Sequence, residues 1–367
     1  MDSDIDSPRA PHNRPSVLIV GAFLSQSTGI RFVCEDLAEG LRSRGWSVIT
    51  TSSLKNRAAR LGDMLATVWG RRRQYDVAQI DVYSGLAFVW AEAVAASLTA
   101  LRCPYVLTLH SGAFPEFAER WPGRVRRLLR SAAAVTSPSP YLQERLATYR
   151  PDIRIIRNGL HVASYPVRDH VAARPRLVWI RHFEQRYNPV LALDVVSRLA
   201  HDFPEIELLM VGSDRQDWSA EQTLEEARRL GVEDRVRVLG PVPKADIPHI
   251  LQQGDIFLNT TNVDNAPVTV VEAMACGLCV VSTDAGGVPY LVRNEHDALL
   301  VPRTDPEAMT AAVRRVLTDS TLAAQLSRNA RECAEAFSWE TVLSEWEDLL
   351  CAVQSRAKTG GRGADET

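Results

Sequence analysis

The segment that follows one predicted strand combines residue types that bind a phosphate next to a sugar. Pro267 suits the first turn of a helix, and Gly277 suits the end of one. The free N–H groups at the start of this helix, near Val268 and Thr269, form a binding site for an anion. Glu272 follows about one turn later, where it can accept hydrogen bonds from hydroxyl groups attached to that anion. The segment therefore predicts a site for a nucleotide phosphate and its ribose.

The alternative for Glu272 is an exposed helix position with no ligand. Its neighbours are Val270, Val271, Ala273 and Met274, so the helix is apolar nearly all around and is expected to be buried. A buried carboxylate needs a partner. We therefore favour a binding role for Glu272.

Two arginines follow another predicted strand, at residues 177–180. Arg181 comes directly after the strand, and Arg186 lies further along the same loop. Guanidinium groups suit a diphosphate because they can donate two parallel hydrogen bonds to it. The alternative is a pair of solvated arginines. We predict Arg181 as a site residue and leave both interpretations open for Arg186.

Two strand ends in the first half of the chain carry further candidates. His110 ends the predicted strand Tyr105–Leu109, and Gly21 ends the first strand of the chain. A histidine at a strand end is often only a hydrogen-bonded loop residue, and a glycine there is an ordinary turn residue. His110 nevertheless lies where a ligand-binding cleft is expected.

The elements that position these residues repeat twice along the chain. Short apolar runs alternate with longer helical patterns up to residue 157, and the pattern restarts after the polar segment 168–175. This alternation predicts α/β domains, each with a parallel sheet covered on both faces. We predict a disordered leader at residues 1–14 and two doubly wound Rossmann-like domains, at 15–168 and 169–335. A terminal helix at 336–354 is expected to cross back to the first domain, and residues 355–367 are expected to form a flexible tail. The cleft between the domains is the expected ligand site, because ligands bind beyond the carboxyl ends of such strands.

The composition is that of an ordinary globular protein. The chain has 367 residues, of which 46% are hydrophobic and 24% charged, which excludes a mostly disordered chain or a disulfide miniprotein. Of six cysteines only Cys276 and Cys279 are closely spaced, in an apolar run with no nearby histidine to complete a zinc site. Buried thiols, and therefore a reduced cytoplasmic compartment, are expected. The longest apolar stretch, residues 85–101, is too short to span a membrane.

The net charge of −3 is unevenly distributed. Residues 1–168 contain 22 basic and 14 acidic residues, a net charge of +8, whereas the remainder carries −11. This distribution does not fit a uniformly basic nucleic-acid binder. The first half contains two groups of arginines, namely Arg57, Arg60, Arg71, Arg72, Arg73, Arg124, Arg126, Arg127 and Arg130. A solvated basic face is the simpler interpretation, and peripheral contact with the inner membrane surface or a phosphorylated acceptor is the functional one.

At this point the sequence resembles the retaining glycosyltransferases of family 4, also called glycosyl transferases group 1, which have the GT-B fold. Their motif has an acidic residue and a glutamate separated by seven residues, here Asp264 and Glu272, with Asp264 replacing the usual glutamate. The resemblance covers about residues 15–340 and is most specific after residue 177. It also includes four further segments, at 211–213, 236–240, 277–283 and 286–289.

The resemblance implies a role for each candidate. Glu272 would hold the donor ribose and Asp264 would face the hydroxyls of the donor sugar. The amides near Val268 and Thr269 would bind the diphosphate, and Arg181 would match the family arginine after the first strand of the second domain.

The remaining candidates match the family less directly. Arg186 falls at the spacing of the family lysine, although Tyr187 could equally occupy that place. His110 resembles the family histidine near the donor sugar, Gly21 the glycine turn after the first strand, and Gly212 a glycine of the donor domain.

The implied activity is transfer of a hexose-type sugar from a nucleotide-diphosphate donor to a hydroxyl of a polysaccharide, glycolipid or small-molecule acceptor, with no cofactor or bound metal. Two alternatives stay open: a GT-B sugar-nucleotide epimerase and a non-catalytic nucleotide-sugar-binding protein. An NAD-dependent oxidoreductase fits poorly, because residues 21–25 lack the Gly-x-Gly-x-x-Gly spacing.

Overall fold

The computed structural model describes residues 14–25, 31–167, 172–215 and 217–362. Most of the predicted leader, the start of the polar linker and the end of the predicted tail lie outside these described residues. The described residues form two parallel six-stranded sheets covered by helices. The predicted α/β class with two doubly wound domains is therefore confirmed.

The first sheet has the strand order β2-β1-β3-β4-β5-β6. Its strands are β1 Val17–Val20, β2 Val48–Thr51, β3 Val77–Val82, β4 Tyr105–Leu109, β5 Ala134–Ser137 and β6 Arg154–Ile155. The register places Val17 opposite both Val48 and Val77. Strands β1 and β4 are buried along their whole length, as expected for strands with a helical layer on each face.

The second sheet has the strand order β12-β11-β10-β7-β8-β9. Its strands are β7 Arg176–Ile180, β8 Glu207–Val211, β9 Val236–Leu239, β10 Ile256–Asn259, β11 Cys279–Thr283 and β12 Leu299–Val301. The register places Leu177 of β7 opposite Ile256 of β10. Both sheets reverse their strand order near the middle, which creates the switch points where ligands bind.

The helices fall into the same two groups. In the first domain they are α1 Val33–Ser43, α2 Arg57–Gly70, α3 Phe88–Ala100, α4 Phe114–Arg120, α5 Pro122–Ser131 and α6 Pro140–Arg145. In the second they are α7 Pro189–Leu199, α8 Ala220–Arg229, α9 Ile247–Leu251, α10 Val268–Ala275, α11 Val288–Leu291, α12 Pro306–Thr318 and α13 Ser320–Glu335. The last helix, α14 Trp339–Arg362, follows directly.

Two hydrophobic cores cover the two faces of the first sheet. Helices α2, α3 and α5 pack on one face, where Met64, Val94 and Leu128 are buried. On the other face α1 packs together with α14, whose Trp346 and Leu350 are buried against the first domain. The end of the chain therefore completes the core of the domain that the beginning of the chain forms.

The chain passes between the domains at two places that lie side by side. The amide of Leu160 donates to the carbonyl oxygen of Phe337 at 2.7 Å, and the amide of Trp339 donates back to the Leu160 carbonyl at 3.2 Å. The Trp339 ring covers Gly159 so closely that a Cβ atom there would overlap it. The two passages thus form one paired connection.

The tail prediction is wrong up to residue 362, because α14 continues to Arg362. The segment after Gln354 includes Ala357 and Lys358, which are good helix formers, and it extends an already nucleated helix. The sequence analysis also missed the helix at 57–70 and the short helices α4, α6, α9 and α11. The four short helices have four to seven residues, too few to display a clear apolar period.

Trp339→Ala is expected to lower the free energy of unfolding by about 3–5 kcal/mol, because it removes a large buried side chain at the paired connection. Chemical denaturation would measure this loss. Trp69→Ala is the matched control, since Trp69 is half exposed on α2. Equal stability of the two variants would contradict a structural role for the Trp339 contact.

Candidate active site

The carboxyl ends of the two sheets face each other across the cleft between the domains. Here Gly112, which follows β4, meets the loop after β10, and a Cβ atom at Gly112 would lie 2.8 Å from the Asp264 carbonyl carbon. The Ser139 hydroxyl donates to Asn265 Oδ1 at 2.6 Å. The predicted site residues of both domains therefore border one cleft.

A cavity of about 280 Å³ opens on the second-domain side of this cleft. Its wall includes five of the predicted residues, namely Arg181, Gly212, Val268, Thr269 and Glu272. The cavity lies at the N-terminus of α10, which begins directly after Pro267. Among the described residues, the buried Thr269 hydroxyl has no hydrogen-bond partner, so it is available to a ligand.

Glu272 is the buried carboxylate of this cavity, with only 3% of its surface exposed. The Tyr165 hydroxyl donates to Glu272 Oε1 at 2.8 Å, and Lys244 Nζ lies 3.7 Å from the same oxygen. Burial raises the pKa of Glu272 above its ordinary value, while the charge of Lys244 and the Tyr165 hydroxyl act in the opposite direction. The buried carboxylate was expected to have a partner. Its partners are Tyr165 and Lys244, neither of which the sequence analysis predicted.

Lys244 also reaches the first domain. Its Nζ lies 4.0 Å from Asp36 on α1, and Asp36 is paired with Arg31. Both Arg31 and Lys244 line the cavity. One available signal was the rarity of lysine, because Lys244 is one of only three lysines among 42 basic residues and follows a predicted strand end.

Lys244→Met is expected to move the acid limb of nucleotide binding to higher pH. The ionised Glu272 carboxylate is the form that would accept hydrogen bonds from the hydroxyls of a nucleotide, so binding would be lost as the pH falls through the pKa of Glu272. Because the charge of Lys244 lowers that pKa, its removal raises the pKa, and the loss begins at a higher pH. The measurement is the dissociation constant of a nucleoside diphosphate in buffers from acidic to neutral pH. Lys358→Met, on the exposed end of α14, is the control, and identical pH profiles for both variants would contradict this coupling.

Arg181 lies next to Asp264 at the other end of the cavity. Its Nη2 is 3.0 Å from Asp264 Oδ2 and 3.3 Å from Asn259 Oδ1, and its guanidinium lies over the Tyr187 ring at 5.2 Å. Its buried Nε has no hydrogen-bond partner in the described part of the chain. The guanidinium is therefore held in place through Nη2, and its Nε–H is among the donors left for a ligand.

Arg186 takes a different position from Arg181. Its side chain is 52% exposed, and its Nε donates to Glu184 at 2.6 Å. Of these two neighbouring residues, Tyr187 lines the cavity and Arg186 does not. The structure thus brings Tyr187 to the cavity and leaves Arg186 at its outer edge.

His110 stands on the first-domain side of the cleft. Its Nε2 lies 2.9 Å from Asp81 Oδ1, and its ring stacks on Tyr83 with the centroids 5.1 Å apart. Burial raises the pKa of Asp81, but the charge of His110 and the hydrogen bonds to the carboxylate outweigh it, so the net shift is downward. Asp81 was not predicted, although it lies in β3 next to the strand that His110 follows.

Two of the predicted glycines are required for close packing. A Cβ atom at Gly21 would lie 2.8 Å from Asp81 Oδ2 and 2.7 Å from Cys34 Sγ. A Cβ atom at Gly212 would overlap the carbonyl oxygen of Arg181. Both glycines therefore let other site residues take their positions.

The two closely spaced cysteines are buried thiols, as predicted. Cys276 and Cys279 are free and buried, and burial raises the pKa of each thiol to about 12. Within the described ranges, no three His, Cys, Asp or Glu side chains are grouped as metal ligands. None of the helices described there has the length and apolar character needed to cross a bilayer.

Comparison with known families assigns both halves of the chain. Residues 27–164 match the model described as Glycosyltransferase Family 4, and residues 168–333 match the model described as Glycosyl transferases group 1. Together these matches span most of the chain. The chain belongs to family 4 of the glycosyltransferases.

Curated relatives of this family 4 glycosyltransferase carry the name D-inositol 3-phosphate glycosyltransferase. The protein of Saccharomonospora viridis is 29% identical over 235 residues, covering 60% of this chain and 54% of the relative. That of Mycobacteroides abscessus is 28% identical over 261 residues, covering 68% and 57%. The match thus spans little more than half the length of these relatives.

Solved structures share the fold at low sequence identity. Sucrose-phosphate synthase from Thermosynechococcus elongatus aligns with a TM-score of 0.78 at 19% identity, covering 94% of this chain and 100% of that one. Anabaena HepE in complex with UDP-glucose aligns with a TM-score of 0.73 at 20% identity, covering 92% and 100%. This family 4 glycosyltransferase therefore has the predicted GT-B fold.

Proposed function

We propose that the protein is a retaining glycosyltransferase that moves a hexose from a nucleotide-diphosphate donor to an acceptor hydroxyl. The observation that carries this proposal is the buried Glu272 one turn after the N-terminus of α10, in the same cavity as Arg181. A carboxylate, a helix N-terminus and a guanidinium match the ribose and diphosphate of such a donor.

The donor would extend along the cavity from Glu272 to the cleft. Glu272 would accept hydrogen bonds from the ribose hydroxyls, and the amides of Val268 and Thr269 would donate to the diphosphate. Arg181 would contact the phosphate attached to the sugar. Asp264, which is paired with Arg181 and lies beside Gly112, would then face the hydroxyls of the sugar.

His110 would contact the donor sugar from the opposite side of the cleft. Its Nε2 is engaged by Asp81, so Nδ1 is the ring nitrogen that remains for the sugar. Arg186, at the outer edge, would add positive charge near the diphosphate without direct contact.

The reaction breaks the bond between sugar C1 and the diphosphate oxygen, and the electron pair leaves with the diphosphate. The acceptor oxygen forms its bond to C1 on the same face, and its proton passes to the departing phosphate oxygen. Arg181 and the N-terminus of α10 would stabilise the charge on the leaving group, and domain closure would exclude water.

The acceptor class is open among polysaccharides, glycolipids and small molecules. Since the curated relatives are named for D-inositol 3-phosphate, a phosphorylated polyol belongs in the acceptor panel.

The test combines UDP-, GDP- and ADP-hexoses with this acceptor panel, followed by mass spectrometry and by proton NMR of the product. We expect a glycoside that keeps the anomeric configuration of the donor. An isomerised sugar released without acceptor would instead identify an epimerase, and donor binding without turnover would identify a non-catalytic binding protein. A product of inverted configuration would contradict the retaining mechanism.

A further inference from the structure

One edge of the first domain exposes large apolar side chains. Leu86 is 75% exposed, and Leu54, Val89 and Trp121 are each 42–43% exposed. Single exposed apolar residues are normal, but a group of them marks an interaction surface. These four lie in three neighbouring segments, which we call the basic edge and define as residues 54–60, 85–89 and 120–127.

The basic edge lies on the same side of the sheet as the cleft. Its segments lead into α2, α3 and α5. Helices α2 and α3 follow the carboxyl ends of β2 and β3, and Arg124 near the start of α5 contacts Phe88 and Glu92 near the start of α3. The three helices pack side by side on the same face of the sheet. His110 follows the carboxyl end of β4, so the basic edge borders the mouth of the cleft on the first-domain side.

The basic edge carries seven basic residues and no acidic ones. Among the residues that the structure describes, only Arg124 of these seven forms an ion pair, with Glu92. Arg120 and Arg124 flank the Trp121 ring at 6.0 and 5.6 Å, and Arg60 lies over the Trp90 ring at 5.3 Å. Cations next to partly exposed tryptophans suit a boundary between apolar and polar media.

An apolar groove extends from the basic edge between α3 and α5. It has a volume of about 810 Å³, and its wall includes Val89, Ala93, Ala96 and Leu128 with Arg127 beside them. A solvated basic face would need neither this groove nor the exposed Leu86. Charge and apolar surface therefore occur together, as in proteins that lie on membranes.

We propose that the basic edge docks this glycosyltransferase on an anionic lipid bilayer. The apolar side chains, with Leu86 foremost, would enter the headgroup layer, and the arginines would contact lipid phosphates. The mouth of the cleft would then face the membrane surface. This inference goes beyond the proposed function, because a transferase acting on soluble acceptors needs no such surface.

The test is co-sedimentation with vesicles of phosphatidylcholine alone and of phosphatidylcholine with phosphatidylglycerol. Wild type is expected to bind only the anionic vesicles. A triple variant is expected to weaken this binding on the order of a hundredfold, because each arginine contributes about fivefold. It combines Arg57→Gln, Arg120→Gln and Arg127→Gln. Leu86→Ser with Val89→Ser is expected to weaken it roughly tenfold.

A matched control has the same charge change at the opposite end of α2. Arg71→Gln, Arg72→Gln and Arg73→Gln combined are expected to keep most of the vesicle binding. Equal loss in this control, or no binding of wild type to anionic vesicles, would overturn the proposal. The proposal would also be overturned if the arginine variant lost vesicle binding and the Leu86/Val89 variant kept it in full. That result would indicate a site for polyanions rather than a surface that enters a bilayer.

The thermal unfolding midpoint of each variant reports folding independently of any ligand. The nucleotide-induced shift of that midpoint is expected to be the same in all variants, since none of the substituted residues borders the donor cavity. Vesicle binding therefore tests the membrane proposal, and the nucleotide-induced shift tests the donor site separately.

Discussion

Glu272→Gln is expected to lower kcat/KM for the nucleotide-sugar by about 10²–10³-fold while the protein stays folded. The carboxylate would accept hydrogen bonds from the ribose, and hydrogen bonds to a charged group contribute about 1.5–3 kcal/mol each. Glutamine has nearly the same shape but no charge. Because burial raises the pKa of Glu272, replacing it by a neutral side chain removes a desolvated charge from the interior.

Steady-state kinetics and calorimetric titration with the nucleoside diphosphate would measure this loss. Glu221→Gln, on the exposed side of α8, is the control and is expected to behave as wild type. Tyr165→Phe is expected to give a smaller loss, because Lys244 still neutralises the carboxylate. Turnover of Glu272→Gln within a few-fold of wild type would contradict the donor site.

Arg181→Met is expected to lower kcat by about 10²–10³-fold, with a smaller change in donor affinity. The guanidinium would stabilise the charge that develops on the diphosphate, and loss of one such donor typically has an effect of this size. Single-turnover measurements separate the chemical step from binding.

Arg186→Met is the matched control for Arg181→Met. It removes the same charge from the same loop, but this side chain is half exposed and paired with Glu184. We expect at most a few-fold reduction in kcat. Equal losses in the two variants would show that the diphosphate responds to net charge rather than to the position of Arg181.

The architecture was predictable because most strands are short apolar runs, and several of them end at a glycine or a polar residue such as Gly21, His110 or Gly212. An alternation of such runs with helical patterns along the chain indicates parallel sheets covered by helices. The burial of Glu272 was likewise predictable from the apolar neighbours on its helix. The location of Glu272 in the cleft between the domains follows from the shared direction of the strands.

The partners of these residues could not be derived in the same way. Lys244, Tyr165 and Asp81 come from other strands and loops, and no sequence spacing links them to Glu272 or His110. Likewise spacing alone could not choose between Arg186 and Tyr187. Arg186 and Tyr187 lie in the same short helical turn, and the conformation of this turn determines that Tyr187 lines the cavity.

The paired connection at Leu160 and Phe337 has a consequence for how the cleft opens. Two chain passages that are hydrogen-bonded side by side resist both sliding and separation of the domains at that point. The remaining freedom is a rotation about one hinge axis through the pairing. Displacement grows with distance from this axis, so a rotation that opens the cleft would separate the Ser139 hydroxyl from Asn265.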